Sequence, residues 1–257
     1  IDWTSFFKTS HINLSPKKIE TMTDCIEGSK KNLQSNNPKF FSGLMPAAQQ
    51  WRIFADFRSS TAYIDIETTG LQMWGCEITT IALYDGSSIK YYVQGHNLDD
   101  FIEDIEKYNV IVTYNGKTFD VPFIEKHFRT SLNHAHIDLR YVLKSLGYSG
   151  GLKKCEKAMG IDRGNLDGVD GYFAVLLWHD YQQNQNEKAL ETLLAYNIED
   201  VVNLEILMVM AYNMRIKATP FAKTHRLPLP KVPKIPFKPD SETIDRIRQQ
   251  AFSLYGF

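Results

Sequence analysis

Asp65 and Glu67 stand two residues apart in Tyr63-Ile64-Asp65-Ile66-Glu67-Thr68-Thr69-Gly70-Leu71. The β-branched and aromatic residues favour a strand, and Thr-Thr-Gly ends it. Side chains alternate along a strand, so Ala62, Ile64 and Ile66 face a core while Tyr63, Asp65 and Glu67 face the other way. Two carboxylates on one face repel, and a cation between them turns that repulsion into binding. Hard oxygen ligands of this kind suit Mg²⁺ or Mn²⁺. On its own the Asp-x-Glu pair also fits a half-exposed strand with a solvated acidic side, so the reading depends on whether more acids converge.

Three further acids are candidates. Asp120 follows Asn115-Gly116-Lys117-Thr118-Phe119, where an apolar run over 110–113 leaves through a Gly turn and opens a helix. Asp there could simply cap that helix. If the run lies parallel beside the Asp65 strand, however, Asp120 falls next to Asp65 and Glu67, in the crevice beyond the carboxyl ends of the strands. Asp200 lies four residues after Tyr196 in an apolar helix expected over 187–210, which puts the two on one side. A carboxylate beside apolar positions needs a partner, and a metal or a hydrogen-bond donor would supply one. Asn197 and Asn203 are alternative polar neighbours, and a Tyr–Asp contact at the helix edge is the plainer account. Asp138 ends a short strand and is a weaker candidate for the same cluster. His134 and His136 share a face and could ligate zinc, but no third nitrogen or sulfur ligand stands nearby.

The elements that must position these groups follow from periodicity and turn residues. Strands are expected over 62–67, 77–84, 88–93, 110–113 and 134–139, with Asp85-Gly86-Ser87 as a hairpin turn. Helices are expected over 98–107, from about 120 to 128, 140–146, 152–159, 172–181 and 187–210. A meander of three strands, then a helix and another strand, describes an α/β protein with a mixed sheet. Ser15-Pro16 starts a helix that Asn36-Asn37-Pro38 breaks, and aromatic residues over 40–57 pack on the main body. Six prolines between 220 and 239 impose extended backbone before a short amphipathic helix over 241–255.

Composition sets the outer limits. The chain has 257 residues, 43% of them hydrophobic, enough for one large domain or a domain with appendages. No run approaches a membrane span and no signal-peptide pattern opens the chain, which starts at Ile1 rather than Met. Three scattered cysteines argue against a disulfide framework and suit a reducing compartment, so a cytoplasmic location is expected. Net charge is −1, but residues 215–257 carry nine Lys/Arg against three Asp/Glu, leaving the rest net acidic. Such a basic tail could hold phosphates or dock on the body. A second basic region comprises Arg140, Lys144, Lys153, Lys154, Lys157 and Arg163; it reads equally as a solvated helix face and as a phosphate-contacting rim.

Asp-x-Glu-Thr-Thr-Gly, Asn-x₃-Phe-Asp and Tyr-x₃-Asp, in that order, resemble the three motifs of the DEDD exonucleases, which have a ribonuclease H-like fold. Tyr196 resembles the tyrosine variant; the histidine variant would need His where Ala195 stands. Asp-Ile-Glu-Thr-Thr-Gly-Leu, Tyr-Asn-Gly-Lys-Thr-Phe-Asp-Val-Pro-Phe, His-Ile-Asp-Leu-Arg, Gly-Gly-Leu-Lys-Lys-Cys-Glu-Lys and Tyr-Asn-Ile-Glu-Asp-Val-Val-Asn-Leu look like the YprB-type branch of predicted ribonuclease H-like exonucleases. The resemblance covers roughly residues 40–212 and implies a five-stranded ribonuclease H-like domain, expected over 61–214; it does not explain the Pro-rich tail, and the helical extension over 1–60 and the basic Pro-rich strap over 215–257 are expected from the residues themselves. It implies 3′–5′ hydrolysis of single-stranded DNA or RNA with a free 3′ end to nucleoside 5′-monophosphates, using two Mg²⁺ or Mn²⁺ ions about 3.5–4 Å apart. Asp65, Glu67, Asp120 and Asp200 would hold the ions, and Tyr196 would orient the attacking water. Thr68, Gly70, Leu71, Asn115 and Phe119 would contact substrate, with Leu71 wedged against the terminal base. A non-catalytic nucleic-acid-binding module and a ribonuclease H-type endonuclease are rivals on the same fold.

Overall fold

A computed structural model gives the structure of residues 14–70, 72, 75–166 and 168–255, without the side chains of 165 and 252–255. Leu71, for which a base-wedging role is expected, lies outside the described residues. Helices α1 (Pro16–Gln34) and α2 (Pro38–Gly43) are separated by Asn36, whose left-handed φ of 50° breaks the chain as the Asn-Asn-Pro sequence requires. A 3₁₀ segment (Ala47–Ile53) and a single turn, α3 (Phe54–Phe57), lead to the sheet.

The sheet has five strands: β1 (Thr61–Thr68), β2 (Ile78–Tyr84), β3 (Ile89–Val93), β4 (Val110–Thr113) and β5 (Ala135–Asp138), in the order β3-β2-β1-β4-β5. β1, β2 and β3 form an antiparallel meander, and β4 and β5 add in parallel on the other side of β1. This is the mixed five-stranded sheet flanked by helices expected of a ribonuclease H-like fold, with β1 at its centre. β4 is apolar almost throughout because both its faces are covered. Ala62, Ile64 and Ile66 enter one core layer with Phe101, Ile105 and Ile124, from α4 (Asp100–Ile105) and α5 (Asp120–Phe128). Tyr63, on the opposite face, enters the larger core beneath the later helices.

Those helices are α6 (Leu139–Lys144), α7 (Leu152–Ala158), α8 (Gly171–Asn184) and α9 (Glu187–Ile216). Asp170 starts α8 by accepting the Phe173 N–H at 2.9 Å, and Asn186 starts α9 by accepting that of Lys188 at 3.2 Å. Helix α9 has 30 residues, about 45 Å at 1.5 Å each. It runs six residues past the end expected at Met210. Ala211, Tyr212 and Ile216 remain buried, and Tyr212 packs edge-on against Trp51 at 5.8 Å, so the N-terminal aromatics extend the surface that holds it. After the prolines, α10 (Ser241–Tyr255) returns Ile244 and Ile247 to the same core, and Arg246 pairs with Asp180 of α8. Among the described residues, no helix is long and apolar enough to cross a membrane.

Candidate metal centre

Three elements meet at the carboxyl end of β1. The first is β1 itself, where the pairing with β2 slips: Glu67 faces Thr80, but Thr68 faces Ile78. Thr79 is the extra residue, and a bulge of this kind bends a strand and re-aims its side chains. The second is the β4–α5 connection. A Cβ on Gly116 would lie 2.3 Å from Thr113 Oγ1, so only glycine allows this turn to close, and Asn115 before it takes a left-handed φ of 69°. The third is α9, which brings Tyr196, Asn197 and Asp200 to the sheet in little more than one turn.

One carboxylate oxygen from each of Asp65, Glu67 and Asp200 lies within 4.8 Å of the other two. Asp120 lines the same cavity but stands outside that trio: its Oδ1 accepts the Ile66 N–H at 3.2 Å. This bond ties the start of α5 to the strand carrying the other acids, and the same carboxylate also accepts the Asp120 backbone N–H at the helix start. Asn197 supports Asp65 by donating from Nδ2 to Oδ2 at 2.8 Å, while its Oδ1 accepts from Thr80 Oγ1 at 3.1 Å. Ligand oxygens about 2.1 Å from Mg²⁺ on opposite sides of the ion stand about 4 Å apart, so the trio has the right size and chemistry for such a cation.

The electrostatics point the same way. Burial pushes the Asp65 and Glu67 carboxyls well above their ordinary range, and neighbouring carboxylates, Asp200 foremost, push them further. Burial raises Asp120 to about 7 against the N–H bond from Ile66, with Asp138 and Asp200 adding to the rise. Burial would raise Asp200 too, but Lys153 and Arg163 overcome it and hold that carboxyl below its usual value. The Tyr196 phenol is driven well above its normal value by burial and by the carboxylates around it, so it keeps its proton.

Lys153 and Arg163 were expected only as part of a basic surface. Lys153 donates to Asp200 Oδ1 and its Nζ sits 4.3 Å from the centre of the Tyr196 ring. Arg163 Nη2 lies 2.5 Å from Asp200 Oδ1, while Nη1 donates to both oxygens of Glu156 at 2.9 Å. Glu156 is fully buried and also accepts from Asn203 at 3.0 Å, which accounts for that asparagine. Nothing in a Lys-Lys pair at the start of a helix distinguishes a side chain that turns inward. Asn197, next to Tyr196 on a buried helix, was the more visible signal.

The remaining candidates separate. Thr68, Gly70 and Phe119 line the acidic cavity, whose volume is about 570 Å³, together with Tyr114, Leu152 and Tyr172. A Cβ on Gly70 would come within 2.9 Å of Cys76 Sγ, so packing against Cys76 also requires its small size. Asn115 opens on a neighbouring cavity, where its Oδ1 accepts from Thr118 Oγ1 at 2.8 Å and from Arg140. Asp138 is corrected from a possible member of the acidic cluster to an organiser of that loop. Fully buried, it accepts the backbone N–H groups of Asn115, Lys117 and Arg140 at 2.8, 3.1 and 3.0 Å. His136 bonds Thr113 Oγ1 at 2.8 Å and His134 bonds the Ile105 carbonyl at 3.0 Å, so their polar contacts lie with separate groups.

No curated protein is significantly similar to the chain in sequence. Among solved structures, the family B DNA polymerase of the archaeon Pyrobaculum calidifontis matches at 13% identity and a TM-score of 0.45, over 65% of this chain. The match covers 27% of the polymerase, so this chain corresponds to about a quarter of its length. Brucella melitensis NrnC bound to pGG matches at 16% identity and a TM-score of 0.44, over 66% of this chain and 79% of that one. NrnC from the same organism with bound Mg²⁺ matches at 15% and 0.41, over 78% and 89%. Values this low say nothing about what this chain acts on. The family model RNase_H_2 matches residues 62–212, which include all five of Asp65, Glu67, Asp120, Tyr196 and Asp200, and the chain belongs to this family of the RNase_H superfamily.

Proposed function

We propose that the chain is a divalent-cation-dependent 3′–5′ exonuclease of the DEDD tyrosine type, in the YprB-type branch, acting on single-stranded DNA or RNA in the cytoplasm. The observation that carries this reading is the meeting of Asp65, Glu67 and Asp200, from segments far apart in the chain, within 4.8 Å in one cavity. Membership of the RNase_H superfamily is consistent with it. Three free cysteines fit the reducing compartment.

In this reading Asp65, Glu67 and Asp200 hold one Mg²⁺ or Mn²⁺, and Asp120 serves a second. When bound, such cations lower the pKa of water and draw charge from a phosphodiester. The chain's own groups supply the rest. Tyr196 stays protonated, so its hydroxyl orients the attacking water as a hydrogen-bonding partner and does not remove its proton. Asn197 fixes one oxygen of the Asp65 carboxylate, which lines the cavity. Lys153 is the more exposed of the two cations on Asp200, with 32% of its side chain accessible against 7% for Arg163. It is therefore the one free to turn toward a phosphate. Thr68, Gly70 and Phe119 line the place of the terminal nucleotide. Water adds to phosphorus, the P–O3′ bond breaks, and the upstream strand leaves with a 3′ hydroxyl.

The test is hydrolysis by Asp65→Ala and Asp200→Ala. Both variants are expected to lose metal-dependent cleavage of oligonucleotides while keeping their circular dichroism spectra. Full activity in either one removes the assignment.

A further inference from the structure

A second cavity of about 630 Å³ adjoins the acidic one and shares Tyr114, Leu152 and Gly171 with it. Its lining carries no acid. Its charges are Arg140 and Lys144, both exposed and four residues apart on α6, so they project from one side about 6 Å apart along the axis. Among the described residues neither makes an ion pair; Arg140 donates to the neutral Asn115 side chain. At the junction, next to Gly171, Tyr172 is 56% exposed and forms part of the acidic cavity's rim. A third cavity, of about 320 Å³, opens on the far side of Lys153. It is smaller, has Asp162 in its wall, and its Arg163 is already committed to Glu156 and Asp200. Of these two cavities flanking the acidic one, the Arg140–Lys144 side offers unspent positive charge, more space and no competing carboxylate.

We propose that this second cavity is a binding site for the single strand upstream of the nucleotide being removed, with Arg140 and Lys144 on its phosphates and a base stacked on Tyr172. This rests on the nuclease reading and narrows its substrate class: the enzyme grips chains of several nucleotides more tightly than dinucleotides. Lysine and arginine on backbone phosphates give grip without sequence preference, and an exposed aromatic face accepts any base.

The experiment measures binding and turnover separately. Binding of a 3′-phosphorothioate-terminated decanucleotide is followed by fluorescence anisotropy in Mg²⁺ between 50 and 200 mM salt. Each phosphate contact on a single strand contributes about 0.7 to the slope of log K against log salt, so two contribute about 1.4. Over that fourfold range the wild type is therefore expected to lose about sevenfold more affinity than Arg140→Gln/Lys144→Gln. Lys157→Gln, in the third cavity, is expected to keep the wild-type slope. In turnover, wild-type KM is expected to fall as the substrate lengthens from two to six nucleotides, and the double variant to flatten that dependence. Equal slopes for wild type and double variant, or a change confined to Lys157→Gln, would overturn the groove. If no oligonucleotide is hydrolysed, the nuclease reading fails, while the anisotropy slopes still decide whether the groove binds a strand.

Discussion

Replacing Asp65 by Asn is expected to make the metal-free protein more stable while destroying its response to metal. The substitution keeps the shape and an oxygen that can still accept the 2.8 Å bond from Asn197. What it removes is a charge that Asp200, Asp120 and Glu67 all oppose. A carboxyl whose folded pKa is raised binds more protons in the fold than in the unfolded chain, so stability falls as pH climbs above the unfolded value. From the ordinary 3.8 to pH 7 the ceiling on that loss is about 4 kcal/mol for Asp65, at 1.36 kcal/mol per unit. Glu67 and Asp120 lose in the same direction, while Asp200, lowered by Lys153 and Arg163, gains. A domain of this size moves its Tm by about 2–4 °C per kcal/mol, so Asp65→Asn in EDTA at pH 7 is expected to melt above wild type, by no more than about 16 °C. The difference shrinks toward pH 4, where both forms are uncharged at this position. Mg²⁺ at 100 times its Kd adds about 2.7 kcal/mol to the wild type, about 5–11 °C, and nothing to the variant. Differential scanning fluorimetry across pH, with EDTA or Mg²⁺, reads all of this. A variant less stable than wild type in EDTA, or one with an undiminished Mg²⁺ shift, would refute the electrostatic picture of the site.

Two further substitutions probe its supports. Glu156→Gln takes one carboxylate from the buried Arg163, which keeps Asp200 at 2.5 Å; losing charge-assisted bonds of this kind costs about 1.5–3 kcal/mol, so Tm is expected to drop by about 3–12 °C, and a drop under 2 °C would show that the network is not structural. Tyr196→Phe removes only a hydroxyl that stays protonated, so kcat/KM is expected to fall about tenfold, or about 1.4 kcal/mol. The pH profile should keep its alkaline shape; loss of an ionisation near pH 10 in the variant would show that the phenol acts as a base.

The sheet was legible because its signals are local. Alternation placed Ile64 and Ile66 opposite Asp65, and the apolar run at Val110–Thr113 has the look of a strand covered on both faces, which it is. The convergence of Asp65, Glu67 and Asp200 was legible only as a coincidence of three motifs, each weak by itself. What stayed hidden depends on where long side chains turn after folding. Lys153 and Lys154 are neighbours of the same type, yet one reaches Asp200 across 47 positions and the other lies exposed. Asp138 ends a strand just as Glu67 nearly does, but three backbone N–H groups claim it before any cation could. The end of α9 was set by Trp51 and Phe54, far away in the chain, and so could not be read from the helix's own periodicity.

The most direct test of the central claim compares a 5′-labelled linear single strand with a circular one of the same sequence, in Mg²⁺ or Mn²⁺. The account predicts stepwise shortening of the linear strand from its 3′ end, release of nucleoside 5′-monophosphates, and an intact circle. A nicked circle, or a linear strand that no cation causes to shorten, would contradict it.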